Sequence, residues 1–116
     1  MTSSTAPSGV ASASSVYSSS FAAWYSFDNN VNTYWRSLST VNNKWLQYQL
    51  TSQKTLTGYA ITGYNSSHNP ASWTLKGSND GIGWITLDTQ TGQNTDRGES
   101  IVFLGLTTIR TSNLII

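Results

Sequence analysis

The sequence predicts an all-β domain, a sandwich or barrel assembled from short strands. Three observations carry that expectation. Apolar and polar residues alternate with a period of two in several windows, turn signals recur roughly every 8–12 residues, and no window keeps a helical apolar stripe capped at both ends. At 116 residues, with neither linker nor internal repeat, the chain has the size of one domain.

Taken in order, residues 1–9 form a small-residue lead expected to be flexible, ahead of a domain spanning 10–116. Val10, Ser12, Ser14 and Val16 alternate with small residues and predict a first edge strand near 10–16. Phe21, Trp24, Phe27, Tyr34 and Trp35 surround Asp28-Asn29-Asn30. Asp and Asn tolerate left-handed backbone and bond their own chain, so this is a tight loop. Trp45–Leu50 places Leu46, Tyr48 and Leu50 on one face, with Trp45, Gln47 and Gln49 on the other. Leu56–Tyr64 is a second run, with Gly58 and Gly63 marking close backbone approach. Residues 65–70 are a loop. Trp73–Ser78, the turn Asn79-Asp80-Gly81 and Trp84–Leu87 make the clearest hairpin. A polar loop at 90–98 leads to strands at Ser100–Leu106 and Ile109–Ile116.

Hydrophobic residues are only 37%, yet five Trp, six Tyr and three Phe concentrate that apolar area in a few large side chains. Burying one aromatic ring removes roughly 150–250 Å² from water, worth on the order of 4–6 kcal/mol before entropy is counted. A small core built on such anchors can hold a domain of this length. Trp35, Trp45, Trp73 and Trp84 are read as core or as packing on a sheet face.

Charged residues are 9% and net charge is +1, which leaves no electrostatic footprint for nucleic acid. A surface of Ser, Thr, Asn, Gln and Gly suits neutral polar partners, sugars among them. With no cysteine there is no disulfide framework and no thiol chemistry. No apolar stretch approaches the roughly 20 residues of a membrane span. Met1-Thr2-Ser3-Ser4 is no secretion signal, which leaves a cytoplasmic product, an excised module or a virion part open; the location expected is extracellular or virion-associated.

Three blocks resemble discoidin domains, also called coagulation-factor C-type domains. Asp28-Asn29-Asn30-Val31-Asn32-Thr33-Tyr34-Trp35 is similar to their D-G-N-x-x-T-x-W loop, with Asn29 in place of Gly. Lys44-Trp45-Leu46-Gln47-Tyr48-Gln49-Leu50 resembles their W-L-Q-V-D-L strand. Pro70 to Gly81, followed by Trp84 and Leu87, is similar to their P-x-x-W-T-L-x-G-S-N-D-G-x-x-W-x-x-L hairpin. The likeness covers residues 8–104, and within the superfamily it is greatest to modules of phage tail and bacterial surface proteins. The resemblance implies a galactose-binding-like jelly-roll β-sandwich without catalytic activity, whose loops at one end grip glycans, lipids or proteins. Family 32 carbohydrate-binding modules are its sugar-binding branch.

With that topology the loops Ala22–Ser26, Ser37–Asn43 and Tyr64–Asn69 converge. Trp24, Tyr64, Asn65, His68 and Arg97 are then the candidate ligand residues for a galactoside-type glycan. An aromatic face stacks on the apolar side of a pyranose, and amide, imidazole and guanidinium groups fix its hydroxyls. The structural alternatives are that Trp24 plugs the sandwich floor between Phe21 and Phe27, that His68 is an exposed loop residue, and that Arg97 is only solvated. The resemblance further implies a structural Ca²⁺ at Asp28, Asn30 and Thr33, whose hard oxygen donors suit that ion; the alternative is a hydrogen-bonded loop without an ion.

Catalysis is not expected. One His and five carboxylates leave little to build with, and His68 has no nucleophile elbow nearby. Asp96 and Glu99 are the nearest carboxylate pair, but residues three apart on a strand point to opposite faces. The chain departs from the family at its end, where Thr108–Ile116 stands in place of a Tyr-Arg-Leu strand and a final Glu-containing strand that would add a calcium ligand. A last strand lacking or replaced predicts an unpaired sheet edge and a homo-oligomer formed through it. A structural or assembly module of a phage or surface protein is therefore the alternative function.

Overall fold

The computed structural model describes residues 1–5, 8–30, 32–38, 43–55, 57–64, 71–93, 100–104 and 110–116. Among them are seven strands: β1 (Val10–Ala13), β2 (Leu46–Thr55), β3 (Gly58–Thr62), β4 (Trp73–Ser78), β5 (Ile85–Gln90), β6 (Ser100–Leu104) and β7 (Arg110–Ile115). Two short 3₁₀ turns, Ser19–Phe21 and Ala23–Phe27, lie between β1 and β2. Every pairing is antiparallel. One sheet has five strands in the order β1-β2-β7-β4-β5, and the second pairs β3 with β6. The all-β sandwich is as the alternation predicted.

Register decides which residues meet the interior. Ala11 pairs with Tyr48, Tyr48 with Leu114 and Leu114 with Gly77, so these share the inward face. Ala11 and Leu75 are each 5% exposed and anchor the core. Ser12, Gln47, Ile115 and Lys76 form the neighbouring outward row. Because side-chain direction has a period of two, this confirms the division of Leu46 and Tyr48 from Trp45 and Gln47.

The two sheets are joined by one aromatic cluster. Tyr59 on β3 stacks on Phe103 of β6 at 5.0 Å, and Phe103 meets Trp73 of β4 edge-on at 5.5 Å. The Trp73 indole Nε1–H donates to Tyr59 Oη (2.9 Å), and that hydroxyl donates to Asp88 Oδ2 on β5 (2.6 Å). Burial, reinforced by the Asp88 hydrogen bond, pushes the Tyr59 phenol up to about 12. The same bond is the chief cause holding the Asp88 carboxyl below its ordinary value.

The ends of the strands differ from expectation where side-chain bonds intervene. β1 stops at Ala13, because Ser14 turns its hydroxyl to Trp45: the Trp45 N–H donates to Ser14 Oγ at 3.0 Å. β2 runs on to Thr55, past a register irregularity between Gln49 and Lys54. The β4–β5 turn is closed by Asp80, whose Oδ1 accepts from the Ile82 and Gly83 N–H groups, both at 2.9 Å. Gly81 there has φ +74°, which the Asn-Asp-Gly signal anticipates.

A strand stands where Ile109–Ile116 predicts one, and the unpaired edge expected at the C-terminus is corrected. β7 fills the slot between β2 and β4 and is paired on both sides. Leu114 and Ile115 supply apolar, partly β-branched side chains at that position, which suits a central strand. The edges of the five-stranded sheet are β1 and β5. The leading residues touch the sandwich: the Met1 ammonium donates to Phe27 O (2.5 Å), Ala11 N–H to Ser4 O (2.8 Å) and Tyr48 Oη–H to Ser8 O (2.9 Å). Gly9 sits at φ +74° with the Gln49 carbonyl 2.5 Å from where a Cβ would stand, so only glycine fits there.

Candidate functional site

The antiparallel registers, with the Tyr34–Tyr64 ring contact and the Gln93 N–H bond to Ala71 O between the connections, bring three connections to one end of the sandwich. Ala13 at the end of β1 pairs with Leu46 at the start of β2. Thr62 at the end of β3 pairs with Ser100 at the start of β6, and Trp73 at the start of β4 pairs with Gln90 at the end of β5. The chain therefore leaves and re-enters the sheets at this rim between 13 and 46, between 62 and 73, and between 90 and 100.

A ladder of aromatic rings occupies the rim. Tyr34 and Tyr64 are stacked, 3.9 Å between centroids and 21° between planes. Phe21 leans on Tyr34 at 5.1 Å, and Tyr17 meets Phe21 edge-on at 5.8 Å. The Arg36 guanidinium lies over the Tyr17 ring at 4.1 Å, a cation–π contact that caps the ladder. Backbone bonds hold the rungs: Tyr17 N–H donates to Arg36 O (2.7 Å), and Arg36 N–H to Phe21 O (3.3 Å). Trp35 is pinned behind them by its indole Nε1–H donating to Ser15 O at 2.9 Å. Tyr17 is 49% exposed, and Val16 and Leu38 beside it are also exposed.

The candidate residues divide accordingly. Tyr64 stands in the ladder. Trp24 is half-buried in the second 3₁₀ turn and packs on Tyr25 at 4.3 Å, with no ring contact to Tyr64. Its neighbour Phe27 packs on Tyr48 at 4.8 Å, and Ala23 is buried, so that turn also closes the side of the sandwich next to β1. Asn65, His68 and Arg97 lie outside the described residues, as do Asp96 and Glu99. Tyr17, Phe21 and Arg36 are not among the binding candidates that the sequence offers. The four-residue spacing of Tyr17 and Phe21 in an otherwise small-residue stretch was the available signal.

The loop at Asp28 is closed by its own side chains. Asp28 Oδ1 accepts from Asn30 N–H (2.9 Å), and Asp28 Oδ2 accepts from the Thr33 hydroxyl. Thr33 Oγ1 also lies 3.2 Å from Asn30 O, and Asn30 Oδ1 accepts from Asn32 N–H (3.0 Å). Asn29 takes φ +58°, left-handed backbone that asparagine tolerates. Oxygens of residues 28, 30 and 33 thus converge, with the Thr33 hydroxyl proton between them. Among the described residues no group of three or more His, Cys, Asp or Glu is placed to hold a metal.

A β-sandwich with a rim of converging connections and half-exposed aromatic rings defines a binding-module class of architecture. The chain belongs to the F5/8 type C domain family, whose model matches residues 10–111. Its fold is similar to chitosan-binding module 1 from a chitosanase/glucanase of Paenibacillus sp. IK-5, with a TM-score of 0.76 and 26% identity over 92% of this chain and 79% of that one. It is also similar to chitosan-binding module 2 of that enzyme in complex with chitotriose (TM-score 0.78, 14% identity, 92% and 80% covered). The family 32 module of Clostridium perfringens NanJ in complex with galactose gives a TM-score of 0.75 at 20% identity, covering 92% and 79%. No curated protein matches the chain.

Proposed function

We propose that this chain is a non-catalytic carbohydrate-binding module that takes a galactoside-type glycan at its rim. The observation that carries the reading is the stacked Tyr34–Tyr64 pair within a ladder that continues to Tyr17 and Arg36. Aromatic faces of this kind stack on the C–H side of a pyranose, and an axial hydroxyl leaves a wider C–H patch on one side of the ring. Asn65, His68, Arg97 and Trp24 remain proposed contributors to the same site. The similarity to modules solved with galactose and with chitotriose supports a sugar and frames the choice between them. A single site of this kind binds weakly, and display on a cell surface or virion supplies avidity. The test is NMR titration of the chain with galactose, lactose and chitotriose. Shifts at Tyr34 and Tyr64 with the galactosides support the reading, stronger shifts with chitotriose replace the sugar, and silence with all three rejects it.

A calcium ion at the Asp28 loop is part of the proposal. The Asp28 carboxylate, the Thr33 hydroxyl and the Asn30 carbonyl fit its preference for oxygen donors, and bound Ca²⁺ would stiffen the loop that precedes Tyr34. With one carboxylate among the described donors, affinity falls in the weak range, roughly 10⁻⁴–10⁻³ M.

The assembly alternative is favoured by one observation. β5 is an edge strand, and Ile85 on it and Ile82 in the adjoining turn are 53% and 85% exposed. Homo-oligomerisation through that edge predicts a mass that rises with concentration in light scattering and reverts in an Ile82→Lys, Ile85→Lys variant.

A further inference from the structure

The geometry points to a second ligand site, for a carboxylate-bearing saccharide, on the outward face of the five-stranded sheet. A cleft of about 440 Å³ opens there, lined among others by Asn43, Lys44, Trp45, Thr74, Lys76 and Ile115. Register explains why these residues meet. Ile115 of β7 pairs with Gln47 of β2 on one side and Lys76 of β4 on the other, and Trp45 precedes Gln47 by one full strand period. Trp73 lines the cleft as well, so its floor adjoins the Tyr59–Trp73–Phe103 cluster, while Lys44, Trp45 and Lys76 stand outside that cluster. The cleft is separate from the ladder, none of whose residues lines it.

Its chemistry differs from that of the rim. Two of the six cationic side chains of the whole sequence line it, and none of the lining side chains is acidic. Lys44 and Lys76 are both exposed, and neither ammonium has a hydrogen-bond or ion-pair partner among the described residues. Trp45 fixes its backbone through Ser14, while its indole ring has no aromatic partner and its Nε1–H no acceptor among those residues. An aromatic ring next to two unpaired ammonium groups, with Thr74 and Asn43 as neutral hydrogen-bonding neighbours, is complementary to a sugar ring with a carboxylate at one end. The volume lies within the range of small-ligand sites. A uronic acid residue stacked on Trp45, its carboxylate facing Lys44 and Lys76, is the occupant.

The test uses the full chain with a galacturonic acid trimer as the probe and neutral galactose beside it. The trimer is expected to shift the Trp45 indole and the Lys44 and Lys76 amide resonances, which galactose leaves in place. Its affinity falls as salt is raised to about 0.3 M, where charges are screened over a few ångströms. The variant Lys44→Gln, Lys76→Gln changes two exposed side chains, and it is expected to lose at least tenfold in trimer affinity with galactose binding unchanged. Trimer shifts confined to Tyr34 and Tyr64, or equal trimer affinity in the double variant, overturn the assignment. Failure of galactose to bind bears only on the rim.

Discussion

The inter-sheet cluster and the rim ladder use the same kind of side chain for opposite ends. In the cluster, Tyr59, Trp73 and Phe103 close on one another and their polar tips run in series, indole to phenol to the Asp88 carboxylate. In the ladder, Tyr17, Phe21, Tyr34 and Tyr64 are held by backbone bonds and ring contacts at the margin of solvent. The lesson is that aromatic content alone does not distinguish core from site. What separates them is where the rings sit, between the two sheets in one case and in the connections at the rim in the other.

That contrast breaks most visibly at the core. Leu75→Ala, at a position 5% exposed on the strand that carries Trp73, is expected to cost about 2–5 kcal/mol in denaturant unfolding. A loss below about 1 kcal/mol would mean that the interior is organised elsewhere. Tyr59→Phe comes next. It keeps the ring but strands the Trp73 N–H and removes a donor from Asp88, costing roughly 1–3 kcal/mol with rim binding intact. Tyr64→Ala inverts the pattern: stability drops by only about 0.5–1.5 kcal/mol, while galactoside affinity falls tenfold or more, read by titration.

The remaining effects are smaller and sharpen the contrast through protons and ions. The Tyr59 phenol, raised to about 12, favours the native state fully below its unfolded value near 10, and that contribution is lost as pH rises from there to about 12. Asp88, with its value lowered, contributes above its unfolded value of 3.8 and loses that contribution as pH falls below it. Stability measured from pH 3 to 11 should therefore sag at both extremes, and Tyr59→Phe should flatten both limbs. The smallest expected change is a rise of a degree or two in melting temperature with millimolar Ca²⁺, abolished in Asp28→Asn.

Much of this was legible beforehand, for identifiable reasons. The hairpin from Trp73 to Gln90 was readable because alternation and the Asn-Asp-Gly turn agree with each other. The loop at Asp28 was readable because its bonds are local, spanning at most five residues. Tyr64 was placed at the rim by its position after a strand, whereas Tyr17, Phe21 and Arg36 were not. Their contacts join segments up to twenty residues apart, and no periodicity encodes a ring stack between loops.

By itself, then, the sequence determined the strand-forming windows, the turn chemistry and the family, since each rests on interactions between near neighbours along the chain. Only the tertiary structure decided that the last strand sits in the middle of the sheet, that Trp45 shares the outward face with Lys76, and which tyrosines meet at the rim. Those facts depend on the pairing of distant strands, whose register is chosen by burying one face of the whole sheet at once.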